Sequence, residues 1–267
     1  MNTSPHIAMR FRVIAVMALG GLLVAGCSGD PLLAVGNASL ETAAAPASGN
    51  PASAYGGAQA ENNDATLGPR EVIANPSVAE IMQTGKLPEM SWGKADAPVV
   101  IVKYMSLTCP YCRKFHKEVF PDLDKRYIKT GKVRFILREF PIGRTSGNAT
   151  IALRCAPPAK YLDLYGKFLD QQATWVSQEV RPDAIFAVAK QVGMKREAFD
   201  ACLQDKALLD GLKWVKDRGR TLGIIGTPNF FVDGKLVKKV LSGPELFAIV
   251  DAALAGPGAQ SNAAPTR

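Results

Sequence analysis

The chain has 267 residues, of which 47% are apolar and 21% charged, enough for one or two domains with a proper hydrophobic core. Its formal charge of +8 comes from 32 Lys and Arg against 24 Asp and Glu. Those cations are scattered with no run of four or more, which reads as a solvated basic surface rather than a nucleic-acid footprint.

Arg10 and Arg12 precede an apolar run from Val13 to Val24, and Ala25-Gly26-Cys27 follows. A positive start, a short apolar stretch and small residues predict a secretory signal over residues 1–27. The stretch is about 12 residues long, short for a bilayer span, which takes roughly 20. Leu23-Val24-Ala25-Gly26-Cys27 resembles a bacterial lipobox, which implies cleavage before Cys27 and a lipid on its sulfur; an ordinary secreted protein cut nearby is the alternative. Residues 28–70 are Ala, Gly, Ser, Pro and Asn with few large apolar side chains, and read as a flexible tether. Forty such residues span roughly 35 Å. Residues 71–86 carry a weak helical pattern (Val72, Ile73, Val78, Ile81, Met82) interrupted by Pro76. They predict an N-terminal helix that packs on the domain or pairs with another chain.

The folded domain is predicted over residues 87–255. "APVVIVKYMS" is a β-branched apolar run, the mark of a buried strand. After it Phe115, Val119, Leu123 and Tyr127 recur every four residues and predict a helix, bent at Pro121 and ended by Gly131. "KVRFILREF" is a second strand, completing a βαβ unit. Residues 147–222 predict a block of four helices separated by Pro, Gly or Asp. "NFFVDGKLVKKVL" reads as a hairpin about Asp233-Gly234. "GPELFAIVDAALAG" reads as a closing helix with Pro244 early and Gly256 late. The tail 256–267 has the composition of the tether and is expected to be disordered.

Cys109-Pro110-Tyr111-Cys112 follows the first strand directly and opens the helix. Unpaired N–H groups and the helix dipole favour negative charge there. A Cys109 thiolate is therefore stabilised below its usual pKa of about 8.5 and is expected to be the nucleophile. Cys112, one turn in, is expected to resolve the mixed disulfide. Pro110 suits the first turn because no amide hydrogen is needed there. A zinc half-site and a structural staple are the other readings. Zinc commonly takes four ligands, and the chain has two histidines, His6 in the signal and His116 on the helix, where a lone His reads as a surface residue.

Setting Cys27 aside leaves four cysteines in an oxidising compartment. Adjacency pairs Cys109 with Cys112 and leaves Cys155 with Cys202. The leading reading of the second pair is a structural disulfide clamping two helices, its loop of about 48 residues contributing roughly 3–4 kcal/mol. Two buried free thiols or a second redox pair are the alternatives. Lys103, in the first strand, would lower a thiol pKa if it pointed at the motif; a surface-edge lysine is the favoured reading. No dinucleotide or P-loop motif occurs, so no organic cofactor is expected, and no resident metal.

"GIIGTPNFFVDGK", taken with the CPYC motif, resembles the cis-proline loop of thioredoxin-like oxidoreductases, with Thr227 before the cis residue Pro228; the plain alternative is a trans proline entering a strand. With "APVVIVKYMSLTCPYCRKFHKEVFPDL" and the helical block, about residues 88–254 resemble the DsbA-like family of thiol:disulfide oxidoreductases. The resemblance implies an α/β thioredoxin fold with a helical insertion between the second strand and the cis-Pro loop. Its functional residues carry over to Cys109, Cys112, Thr227 and Pro228, the loop pairing with substrate peptide. It also implies exported proteins with cysteine thiols as partners, a membrane redox partner, and a periplasmic location, lipid-anchored through Cys27. Tyr111 stands where the best-known oxidants have histidine, and CPYC also occurs in glutaredoxin-like reductases, which implies a milder oxidant. A reductase or isomerase kept reduced by a membrane donor is therefore an alternative, although residues 70–86 are short for the dimerisation module isomerases use. A copper or zinc carrier using Cys109, Cys112 and His116 is another.

Overall fold

The computed structural model describes residues 71–256. The signal 1–27 with Cys27, the tether 28–70 and the tail beyond Gly256 lie outside the described residues.

One five-stranded sheet has the order β1-β3-β2-β4-β5. Its centre is the pair the apolar runs predict: β2 (Val99–Met105) parallel to β3 (Val133–Glu139), Val99 opposite Val133 and Met105 opposite Glu139. β4 (Asn229–Val232) lies antiparallel on the other side of β2, and β5 (Lys235–Val237) continues it through the Asp233-Gly234 turn, both residues at positive φ. β1 (Met90–Trp92) pairs antiparallel with β3. Sequence reasoning misses β1, because three residues are too few to show an alternation.

Successive residues of β2 point to opposite faces of the sheet. Val99, Ile101 and Met105 join the larger core, and Val102 and Tyr104 the smaller one. The predicted helix after β2 is not continuous. α2 (Pro110–Glu118) breaks at Val119, α3 (Phe120–Leu123) follows, and a π-helical turn spans Asp124–Ile128. Pro121 is the reason, since a proline ring clashes with the carbonyl four residues back. The break therefore falls before the proline instead of at it.

The helical block begins at Gly143, not Gly147, and its first predicted helix divides into three. These are α4 (Gly143–Cys155), α5 (Pro158–Asp170) and α6 (Gln172–Trp175), the first two parted by Pro157-Pro158, which no helix runs through. α7 (Pro182–Ala189), α8 (Arg196–Cys202) and α9 (Lys206–Thr221) complete it. A buried polar knot ties the block to the sheet. Glu139, at the end of β3, is fully buried; it pairs with Arg154 of α4 and accepts a 2.6 Å hydrogen bond from Tyr161 of α5. The far end of α9 leaves the block and covers the smaller core, where Gly219 lies against Tyr104 and Phe140. α10 (Gly243–Ala255), with a Ser242/Glu245 capping box, closes the fold.

Residues 71–86 do not form the predicted helix. They hold one turn, α1 (Val78–Ile81), capped reciprocally by Ser77 and Glu80. This segment is tied to its own domain: Ile73 N donates to the Thr221 carbonyl at 2.9 Å, Ile81 is buried, and Arg138 donates to the Ile81 carbonyl at 2.6 Å. Among the described residues no helix is long and apolar enough to cross a membrane.

Candidate active site

Cys109 is the N-cap of α2 and half-buried, and Pro110 and Tyr111 at the first turn are exposed. Cys112, one turn in, is fully buried against the larger core. This is what a helix start at the carboxyl end of a central strand produces: one sulfur at the surface, the next beneath it. Both stand as free thiols, the dithiol state of a pair that adjacency predicts to be bonded.

Thr227 and Pro228 are joined by a cis peptide bond immediately before β4. Since β4 pairs with β2, this bend comes to lie beside the CPYC motif, and Cys109 Sγ donates to the Thr227 carbonyl at 3.1 Å. Thr227 Oγ1 is buried without a partner in this dithiol state. A hydroxyl so placed is a donor for a thiolate at Cys109. The hydrogen bond from the Cys112 thiol, then those from the Thr227 hydroxyl and the backbone N–H groups of Cys112 and Tyr111, outweigh partial burial and hold the Cys109 pKa down to about 5. Cys112 goes the other way: burial, then the hydrogen bond with Cys109, push it well up, against the lowering influence of Lys103. The outer sulfur is built to ionise and the inner one to stay protonated.

Several supporting residues carry no sequence signal. Gln172 of α6 donates to the Leu107 carbonyl at 2.6 Å and the Cys109 carbonyl at 3.1 Å, so the helical block holds the loop that presents the motif. Ser106 shares a 2.7 Å hydrogen bond with Ser146 of α4 and accepts from Ile142 N. The loop after β3 is thereby held beside the motif, and Ile142 is exposed there. Tyr111 and Ile225 are exposed as well, giving this end of the molecule an apolar rim.

Two sequence expectations are corrected. Lys103 is not a surface-edge lysine: it is 1% exposed, its amine 4.1 Å above the Phe115 ring and donating to the Tyr165 hydroxyl at 3.1 Å. Burial pulls its pKa down to about 8, while negative charge on Cys112 and Cys109 acts to raise it. His116 is not on the open surface either. Its ring stacks on Phe120 and meets Tyr165 edge-on, and burial, then the charge of Lys103, lower its pKa to about 4. Held this way, it is part of the packing rather than a third arm for a metal; among the described residues no group of three or more His, Cys, Asp or Glu is placed to hold one. Cys155 and Cys202 are bonded to each other, joining the last residue of α4 to the last residue of α8.

A family model described as thioredoxin (Thioredoxin_4) matches residues 86–252. The chain belongs to this thioredoxin family. Among curated relatives, a protein of Rickettsia felis provisionally named a protein-disulfide oxidoreductase is 27% identical over 181 residues, which cover 65% of this chain and 64% of the relative. Disulfide bond formation protein D of Bacillus subtilis is 24% identical over 169 residues, covering 61% of this chain and 76% of that protein. The chain thus spans just under two thirds of the length of the Rickettsia relative. Of solved structures, Wolbachia pipientis alpha-DsbA1 superposes with a TM-score of 0.60 at 24% identity, over 67% of this chain and 96% of that one. Oxidised BdbD from Bacillus subtilis gives 0.59 at 24% identity, over 70% of this chain and all of that one. These superpositions show a shared thioredoxin fold, with the helical insertion between β3 and the cis-Pro loop.

Proposed function

We propose that the chain is an extracytoplasmic thiol–disulfide oxidoreductase that introduces disulfides into exported proteins through Cys109 and Cys112. The observation that carries this reading is the placement of Cys109: half-exposed at the start of α2, held near a pKa of about 5, and 3.1 Å from the carbonyl of the cis Thr227–Pro228 bond. A sulfur stable as a thiolate is a good leaving group, so a disulfide containing it is readily reduced and acts as an oxidant.

In this reading the resting pair is a disulfide. A substrate thiolate attacks Cys109 Sγ, the Cys109–Cys112 bond breaks, and its electron pair departs on Cys112, which is protonated. A second substrate thiolate then attacks the substrate sulfur of the mixed disulfide and expels Cys109 as a thiolate. The substrate loses two electrons and the pair gains them. The backbone at Thr227 and the rim of Tyr111, Ile142 and Ile225 offer an extended peptide hydrogen bonds and apolar contact. The signal-like start and the lipobox-like stretch ending at Cys27 support a periplasmic location, lipid-anchored to a bacterial membrane, where a membrane redox partner would reoxidise the pair. Cys155–Cys202 serves as a structural staple of the insertion. The relatives named for disulfide oxidoreduction and disulfide bond formation support the same class of reaction.

The test is the reduction potential of the pair in glutathione buffers, on protein lacking residues 1–27, together with oxidation of a reduced substrate protein. An oxidant gives a value towards about −120 mV, whereas a value near about −270 mV would make the chain a reductase. Replacing Cys109 by Ser should abolish substrate oxidation. Cys112→Ser, which cannot form the internal disulfide, should also lose that oxidation; offered a substrate that already carries a disulfide, its Cys109 thiolate should form a mixed disulfide that no Cys112 thiol resolves, visible on a non-reducing gel.

A further inference from the structure

Lys103 is a fully buried amine with no carboxylate beside it among the described residues. It stands in the middle of the sheet, in register with Leu137 of β3 and Phe230 of β4. Its amine lies over Phe115, which follows Cys112 by three residues and so shares its face of α2. The titratable groups facing it are Cys109, Cys112 and His116 from α2 and Tyr165 from α5. A buried ammonium without a counter-charge is costly. The one anion these neighbours supply is a thiolate of the redox pair, which exists when the pair is reduced and vanishes when the disulfide forms. The charge on Lys103 is therefore coupled to the redox state of the two cysteines.

We propose that Lys103 is a proton partner of the Cys109/Cys112 pair, binding a proton when the disulfide is reduced and releasing it when the disulfide reforms. This rests on the reading of the chain as a thiol–disulfide oxidoreductase. With the disulfide closed no thiolate is present, and burial favours the neutral amine. Reduction by a substrate dithiol moves two electrons onto the pair, leaving Cys112 as a thiol and Cys109 as a thiolate. The new negative charge then draws one proton from water onto the Lys103 amine. Reoxidation removes the two electrons, returns the Cys112 proton and releases the Lys103 proton to water. His116, lowered to about 4, is neutral near pH 7, and Tyr165, raised well above its ordinary value, stays protonated, so neither supplies this proton. The amine of the reduced form titrates at about 8 and that of the disulfide form lower, which places the window just below pH 8.

The experiment is the equilibrium constant for reducing the pair with glutathione, measured between about pH 6 and 8 and corrected for the ionisation of glutathione, on wild type, Lys103→Gln and Lys103→Met. Each proton bound on reduction steepens the fall of that constant by roughly tenfold per pH unit. Cys112 accounts for one. The expected result is a fall close to tenfold per unit in both variants and a steeper one in wild type over part of the range. A wild-type slope of tenfold per unit overturns the proposal whether or not the variants fold. So does a steep slope that survives in both variants, which assigns the proton elsewhere. If wild type forms no Cys109–Cys112 disulfide in oxidised glutathione, the underlying redox reading fails and the proposal fails with it; that result is distinct from a working pair with an unremarkable slope.

Discussion

An unperturbed thiol is mostly protonated at pH 7, and the contacts around Cys109 reverse that. Its pKa falls from an ordinary 9.0 to about 5 on folding of the reduced protein. The sign of the linkage follows: a lowered folded pKa stabilises the reduced fold wherever the folded thiol is ionised and the unfolded one is not. That stabilisation is complete above pH 9.0, declines as the pH falls, and is gone below about 5. The disulfide form has no thiol there and lacks the effect. Thermal melts of the two forms should therefore show the reduced form losing ground to the oxidised one as the pH drops towards about 5, below the range in which Lys103 takes up its proton. Alkylation of Cys109 by iodoacetamide should reach half its maximal rate near pH 5, not near 9.

Among the elements, α9 has the most consequence for the site. It begins in the helical block, and its last turns lie on the second face of the sheet, where they support the chain entering the cis Thr227–Pro228 loop. The close approach depends on Gly219. A Cβ there would stand 2.8 Å from the ring of Tyr104, which is fully buried and packed against Phe140 and Phe231. Gly219→Ala should destabilise the domain by about 1–3 kcal/mol, read from chemical denaturation, because that ring has nowhere to move. A change of a few tenths would mean that α9 shifts freely on the sheet.

For the molecule as a whole, the question is how a mostly helical block is kept in place over a small sheet. Three kinds of tie are visible: the buried Glu139–Arg154–Tyr161 knot, the Gln172 hydrogen bonds to the loop before CPYC, and the Cys155–Cys202 bond. The last closes 47 residues of separation between α4 and α8. Loop closure of that size contributes roughly 3–4 kcal/mol. The double variant Cys155→Ala/Cys202→Ala should therefore melt roughly ten degrees lower. The variant should keep the reduction potential of the Cys109/Cys112 pair if the second bond is a staple. A shifted potential would mean that the two pairs communicate.

Four of the five strands and the redox motif were legible because each has a local cause, while the proline loop was legible only through its resemblance to that of thioredoxin-like oxidoreductases. β-branched runs make buried strands, and a cysteine before Pro110 starts a helix, whereas Gly-Thr-Pro before an apolar strand is ordinary taken alone. Pro121 was legible as an interruption, but Pro157-Pro158 was not: the predicted first helix of the block ran through it, and the flanking segments form separate helices because each is amphipathic enough to stand alone. Lys103 shows where local reasoning stops. Period two puts it on the same face of β2 as Val99, Ile101 and Met105, and the sequence does not say which helix covers that face or that Phe115 and Tyr165 enclose the amine. By itself the sequence determined the chemistry available, a dithiol at a helix start and a proline loop. Only the tertiary structure decided what surrounds it, because burial and charge proximity arise between segments tens of residues apart.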